Sequence, residues 1–180
     1  AEVARPGGRV KREGDTKTPA GIYRVVATFG FGAAERAGHM QLTPGVEFCV
    51  DDTGSPHYGR IVKRSEAGAG TRGENMGAEP LYRRGLVIDY PPNAADKAGS
   101  CIFLHIWAGA GQGTAGCVAM PEAGVARLQE VAGGGGAALG IASEDCAQRF
   151  ARRPPELAPG LPSPSPGPPG PASSTARPRA

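Results

Sequence analysis

No apolar run in this chain approaches the roughly 20 residues a membrane-spanning helix requires, and no charged segment followed by an apolar stretch opens it. A spanning helix is therefore not expected. The chain starts at Ala1 rather than methionine, so a targeting segment or a further N-terminal strand is expected to lie outside it. Blocks of like charge are also missing. The 20 Lys and Arg residues are interspersed with 17 Asp and Glu for a net charge of +3, and without a basic stripe to track a phosphate backbone nucleic acid is not an expected partner. Such a surface favours an anionic polymer only weakly. Cysteine is scarce: Cys49, Cys101, Cys117 and Cys146 show no C-x-x-C spacing and are too sparse for a disulfide scaffold. Metal binding and dithiol redox chemistry are disfavoured on that ground. Most of the four read as small core residues, with a Cys49–Cys101 disulfide left open. No repeat of solenoid period is present.

Glycine and proline are plentiful, at 29 and 18 of 180 residues, which signals many turns, a segment unable to fold, or both. A chain of this length has room for one core. Apolar runs rich in β-branched and aromatic residues predict strands over Gly21–Phe29, Val46–Val50, Arg60–Lys63, Leu86–Tyr90 and Ser100–Ala108, each bounded by turn formers. Pro121–Ala132 predicts a helix. Proline suits its first turn, Val125, Leu128 and Ala132 share a face, and Gly133 ends it. The fold class is thus mostly β with one packed helix. Residues 133–153 read as a linker or short helix around Leu139–Phe150. The Pro/Ser/Gly-rich residues 154–180 read as a disordered tail, because they cannot bury enough apolar area to offset about 1 to 2 kcal/mol of backbone entropy per residue.

Ser100–Met120, SCIFLHIWAGAGQGTAGCVAM, carries the chemistry. It reads as an apolar strand, a glycine-rich connection and a second apolar segment entered through Gly116. An antiparallel hairpin centred on Gly111 would set His105 opposite Cys117 with Cβ atoms about 4.5 to 5.5 Å apart, close enough for the imidazole to activate the thiol. A neighbouring imidazolium would lower the thiol pKa, whereas burial alone would raise it. Gly116 lets a substrate carbonyl approach the backbone N–H groups of Gly116 and Cys117, an oxyanion hole in the making. The other candidates have plainer readings. Gly109–Gly113 lacks the Lys-Ser/Thr pair of a phosphate-cradling loop, Asp51 and Asp52 read as a solvated turn, and His39 and His57 read as surface residues. Cys101 shares an expected strand face with Phe103, His105 and Trp107.

TAGCVAM, preceded by FLHIW, resembles the active-site signature of the L,D-transpeptidase (YkuD-type) catalytic domain. KREGDTKTPAGIYRV (Lys11–Val25), CVDDTGSPHYGRIV (Cys49–Val62), ENM from Glu74 and LYRRGLVIDY (Leu81–Tyr90) are similar, in order, to one branch of that family. The resemblance implies a catalytic domain over residues 1–132 with a β-sandwich-like fold, Cys117 as nucleophile, His105 as general base and Gly116 at the oxyanion site. It also implies a monomer in the cell envelope that acts on peptidoglycan stem peptides through a thioester, without a cofactor. Two departures stand out. Ala115 occupies a place where many members have histidine, and the aliphatic Val118 and Ala119 follow the cysteine where a polar or basic residue is common. The acyl acceptor is thereby left open between an amine, giving a cross-link, and water, giving an L,D-carboxypeptidase; a catalytically silent wall-binding domain is the remaining alternative. The family domain also usually continues after the helix with another strand, and none is evident after the glycine run at Gly133.

Overall fold

Short runs of β-branched and aromatic residues separated by glycine, proline and Asx turns dictate short strands. The structure, a computed structural model describing residues 2–3, 11–33, 37–90, 96–144 and 147–148, is mostly β with mixed sheets and one helix among those residues. The chain order is β1 (Glu2–Val3), β2 (Lys17–Thr18), β3 (Gly21–Gly30), β4 (His39–Gln41), β5 (Glu47–Val50), β6 (Ile61–Lys63) and β7 (Gly73–Asn75). Two 3-10 turns (Met76–Ala78 and Pro80–Arg83) follow, then β8 (Arg84–Ile88), β9 (Phe103–Ile106), β10 (Val118–Met120), α1 (Glu122–Ala132) and β11 (Ala138–Ile141). No described helix is long and apolar enough to cross a membrane.

The main sheet has the order β10-β9-β8-β3-β11, with β4 also paired to β3. Its two faces are covered differently. Leu86, Leu104 and Ile106 meet Val125, Leu128 and Ala132 of α1 on one face, the helical stripe the sequence indicates. On the other, Phe29, Tyr82 and Phe103 cluster with Cys49, Leu42 and Met76, beneath the three-stranded sheet β6-β5-β7. Gly85 is what permits this packing: a Cβ there would stand 2.1 Å from the Phe29 ring and 2.7 Å from the Leu104 carbonyl oxygen. Phe29 therefore lies over the middle of the sheet, making edge contacts with Tyr82 and Phe103 at 5.5 Å each. Gln129 ties the helix to the sheet, donating to the carbonyls of Phe29 at 2.9 Å and Gly85 at 3.0 Å.

Three expectations are corrected here. Val118–Met120 pairs with β9 in parallel, not as an antiparallel hairpin; His105 is opposite Ala119, and Leu104 is opposite Val118. The intervening loop turns at Gly109–Gln112 and carries the chain back to the start of β9. Trp107, beyond the end of β9, packs with the helix-side cluster rather than beside His105. After the glycine run, Ala138–Ile141 is a strand, antiparallel to the first half of β3 with Leu139 opposite Tyr23. Its Ile141 is buried with Ile88 and Ile102, so the sheet extends past residue 132. Among the described residues of 133–153, a short helical turn follows, with the Ala147 N–H donating to the Ser143 carbonyl at 2.9 Å. Residues 154–180 and Cys146 lie outside the described residues.

Candidate active site

β9 alternates, so Leu104 and Ile106 go to the helix side while Phe103 and His105 go to the other. Tyr82 makes edge contacts with both of the latter, at 5.7 Å to Phe103 and 5.1 Å to the His105 ring. The parallel register places Cys117 level with Phe103, two positions back from Ala119, which is opposite His105. Strand rise separates those two levels by roughly 6.6 Å. Cys117 and His105 are thus on one face and line one cleft of about 460 Å³, but they are staggered along it. No hydrogen bond joins them in this state.

The thiol is held from its own side of the cleft. The Phe103 N–H donates to Cys117 Sγ at 3.4 Å, and Sγ donates to the Cys101 carbonyl at 3.3 Å. Two hydroxyls fix the backbone beside it: Thr114 Oγ1 at 2.6 Å and Thr18 Oγ1 at 3.4 Å both donate to the Cys117 carbonyl. Gly116 precedes it with φ +144°, and a Cβ there would meet the Lys17 carbonyl at 3.0 Å and Ile102 at 3.2 Å. Both the backbone conformation and the space call for glycine. The Gly116 N–H, however, donates to Thr114 Oγ1 at 3.2 Å. Of the two amides expected at an oxyanion site, that of Gly116 is already engaged.

Cys101 is no simple core neighbour. It forms a disulfide with Cys49, the pairing the sequence left open, and has φ +53°, a left-handed conformation unusual for a residue with a side chain. The bridge anchors to β5 the residue whose carbonyl receives the thiol. Cys117 is the free cysteine among the described residues.

Electrostatics differ from the imidazolium–thiolate pair that the sequence suggests. Burial pushes the Cys117 thiol up to about 12, outweighing the Phe103 amide, which favours the thiolate. Burial also pulls His105 below its ordinary value, opposed by its bond to the Ile106 carbonyl and by the charge of Glu79. His105 is buried, with Nδ1 at 2.7 Å from the Ile106 carbonyl oxygen. A carbonyl can only accept, so Nδ1 carries the hydrogen and Nε2 the free lone pair. The resting pair is a neutral thiol and a neutral imidazole poised as a base.

Several groups of this cleft escape sequence reasoning. Glu13, Asp51, Glu74 and Glu79 line it, making its wall acidic. Asp52 does make the expected turn, accepting from the Gly54 N–H at 3.0 Å. Asp51 does not belong to a merely solvated turn: burial first, then the charges of Glu13 and Asp52, push its carboxyl up. Glu13 accepts from the Tyr58 hydroxyl at 2.7 Å and from Ser100 Oγ at 2.5 Å. Lys11, only 5% exposed, pairs with Asp15 behind the Gly116 turn. Tyr82 donates to Glu74 Oε2 at 2.9 Å, and Cys117 packs against the apolar cluster that holds the Tyr82 ring. A threonine two residues before Gly116 is the single legible signal among these, since hydroxyls favour local backbone bonding in turns. The two remaining histidines lie outside the cleft lining and are half-buried rather than on the open surface. His39 opens β4 and bonds Thr28 Oγ1 at 2.8 Å, while His57 has a buried Nδ1 without a partner among the described residues. Comparisons with protein-family models, curated proteins and solved structures return no match, and the chemistry of the cleft is read from its own residues.

Proposed function

We propose that this protein is a cysteine acyltransferase of the L,D-transpeptidase type, with a YkuD-type β-sandwich-like fold, acting on peptidoglycan stem peptides through a thioester on Cys117. The observation that carries the reading is the shared cleft: a free thiol after a glycine turn and an imidazole with an open Nε2 on the same face of one sheet. In this reaction His105 Nε2 takes the thiol proton as sulfur attacks the acyl carbon. The S–C bond forms, the C–N bond breaks, and the imidazolium returns the proton to the leaving amine. An acceptor amine then attacks the thioester: the new C–N bond forms, the S–C bond breaks, and the amine's proton passes through His105 to the sulfur. The Cys117 N–H serves the developing oxyanion, joined by that of Gly116 once it leaves Thr114. No cofactor takes part.

The Cys49–Cys101 bridge supports a place in the cell envelope, because disulfides persist in oxidising compartments. The monomer is taken as the working unit. One observation favours a second reading, a silent wall-binding domain: the resting thiol is protonated by burial and has no bond to His105. Incubation with a tetrapeptide stem and a diamino acid acceptor separates the readings. Cross-linked product, absent in Cys117→Ala and His105→Ala, is the expected result. A trimmed stem alone identifies an L,D-carboxypeptidase, and neither product from folded protein leaves the silent domain.

A further inference from the structure

One side chain grips the backbone on both sides of the Gly116–Cys117 peptide. Thr114 Oγ1 donates to the Cys117 carbonyl at 2.6 Å and accepts from the Gly116 N–H at 3.2 Å. A hydroxyl has a single hydrogen and a carbonyl can only accept, so the directions of both bonds are fixed. Between these two anchor points lies the peptide whose N–H, that of Cys117, serves the oxyanion in the proposed reaction. The loop leading in, Ala110–Gly113, is exposed, and a Cβ at Gly111 would meet nothing within 4 Å. Packing does little to hold that side, and the Thr114 hydroxyl supplies the tie.

The opposite side is held from far along the chain. Thr18, 4% exposed, reaches the same Cys117 carbonyl with its hydroxyl at 3.4 Å across a separation of 99 residues. That bond is longer and weaker than the Thr114 bond. The neighbouring chain closes up behind it. A Cβ on Gly116 would stand 3.0 Å from the Lys17 carbonyl oxygen and 3.7 Å from Lys11 Cε, and Lys11 is itself paired with Asp15. The N-terminal segment is thus the rear wall of the Gly116–Cys117 step.

We propose that Thr114 and Thr18 are positioning residues for the acyl-transfer step, their hydroxyls converging on the Cys117 carbonyl to hold the Gly116–Cys117 peptide in place for the oxyanion. The inference rests on the reading of Cys117 as nucleophile. Oxyanion donors are effective when they are in position before charge develops, because no reorganisation is then needed at the moment of reaction. Thr114 keeps its hydrogen on the Cys117 carbonyl while the Gly116 N–H turns from its oxygen to the oxyanion. Neither hydroxyl transfers a proton, and the thiol proton goes to His105.

Two rates at Cys117 test this in the full chain, for parent, Thr114→Ala, Thr114→Ser and Thr18→Ala: acylation by a tetrapeptide stem, which needs the oxyanion site, and alkylation by iodoacetamide, which does not. Thr114→Ala should lower the acylation rate constant by about tenfold to a hundredfold and leave the half-saturating stem concentration unchanged, since the loss falls on the transition state. Its alkylation should be faster, because a loosened backbone releases the sulfur from the Phe103 N–H and the Cys101 carbonyl. Thr114→Ser should restore both rates, and Thr18→Ala should act in the same directions to a smaller extent. A threonine that serves folding alone would leave the acylation constant of the folded protein at the parent value. That result, or a serine variant that fails to restore the rates, would overturn the proposal. Should Thr114→Ala fold poorly, Thr18→Ala decides: slower acylation with alkylation undiminished supports the clamp, and unchanged acylation refutes it. If the stem acylates no form of the protein, alkylation alone separates the outcomes. Faster alkylation in Thr114→Ala, restored by serine, then upholds the clamp and counts against the transpeptidase reading only, whereas unchanged alkylation refutes the clamp.

Discussion

At Cys117 and His105 burial acts on opposite charges to one effect: it pushes the thiol up to about 12 and the imidazole below 6.5, so both groups rest neutral. On the proposed reading, attack by Cys117 is coupled to proton transfer rather than begun from a standing ion pair. A base must be unprotonated to work, so the rate of Cys117 acylation should stay level near neutrality and fall only as pH drops through the folded-state value of His105. A rate–pH profile should place that acid limb below pH 6.5, the ordinary imidazole value, and His105→Ala should abolish the limb with most of the rate; a midpoint above neutrality would contradict the assignment. The linkage sign agrees. With its folded pKa depressed, His105 contributes stability above its unfolded value and loses it as pH falls, because the unfolded chain binds the proton more readily. Gly116 belongs to the same scale: positive φ and the Lys17 carbonyl at 3.0 Å from a would-be Cβ explain why the residue before Cys117 carries no side chain.

Elements show where sequence reasoning reaches and where it stops. β3, β5 and β6 are legible because continuous β-branched and aromatic runs bounded by turn formers have few other uses, and α1 is legible from the spacing of Val125, Leu128 and Ala132. The direction of β10 is not. Equal spacing of His105 and Cys117 about Gly111 suits a hairpin, yet spacing is blind to whether the loop reverses the chain once or twice. β11 is hidden for another reason: Ala138–Ile141 is short and follows four glycines, so only its pairing with β3 makes it a strand. Tyr82 and Glu74 come from a 3-10 turn and a three-residue strand, which have no periodicity to expose them. The Cys–His pair itself was legible because a glycine–cysteine step and a strand histidine fall within one stretch. If β11 is integral, Ile141→Ala should lower unfolding free energy by about 2 to 4 kcal/mol, the usual range for truncating a buried isoleucine. Denaturant unfolding reads this directly, and a change under about 0.5 kcal/mol, typical of surface positions, would remove β11 from the core.

For the whole molecule, the disulfide links the two sheets' neighbourhoods at the site. It joins β5 to the segment leading into β9 across a sequence separation of 52, and closing a loop of that size is worth about 4 kcal/mol in the chain-entropy description. Urea unfolding with and without reductant should show a loss of that order, together with slower Cys117 acylation as the Cys101 carbonyl loses its anchor. An unchanged midpoint would mean that the bridge is not a structural staple. Cys117 and His105 both open on the acidic cleft, and the proposed function concerns what that cleft does to an acyl donor. The most direct measurement is the intact mass of the protein after exposure to a tetrapeptide stem, with the adduct mapped by peptide sequencing. A single acyl group on Cys117, absent from Cys117→Ala, is the result expected; folded protein that stays unmodified, or is acylled elsewhere, would contradict the account.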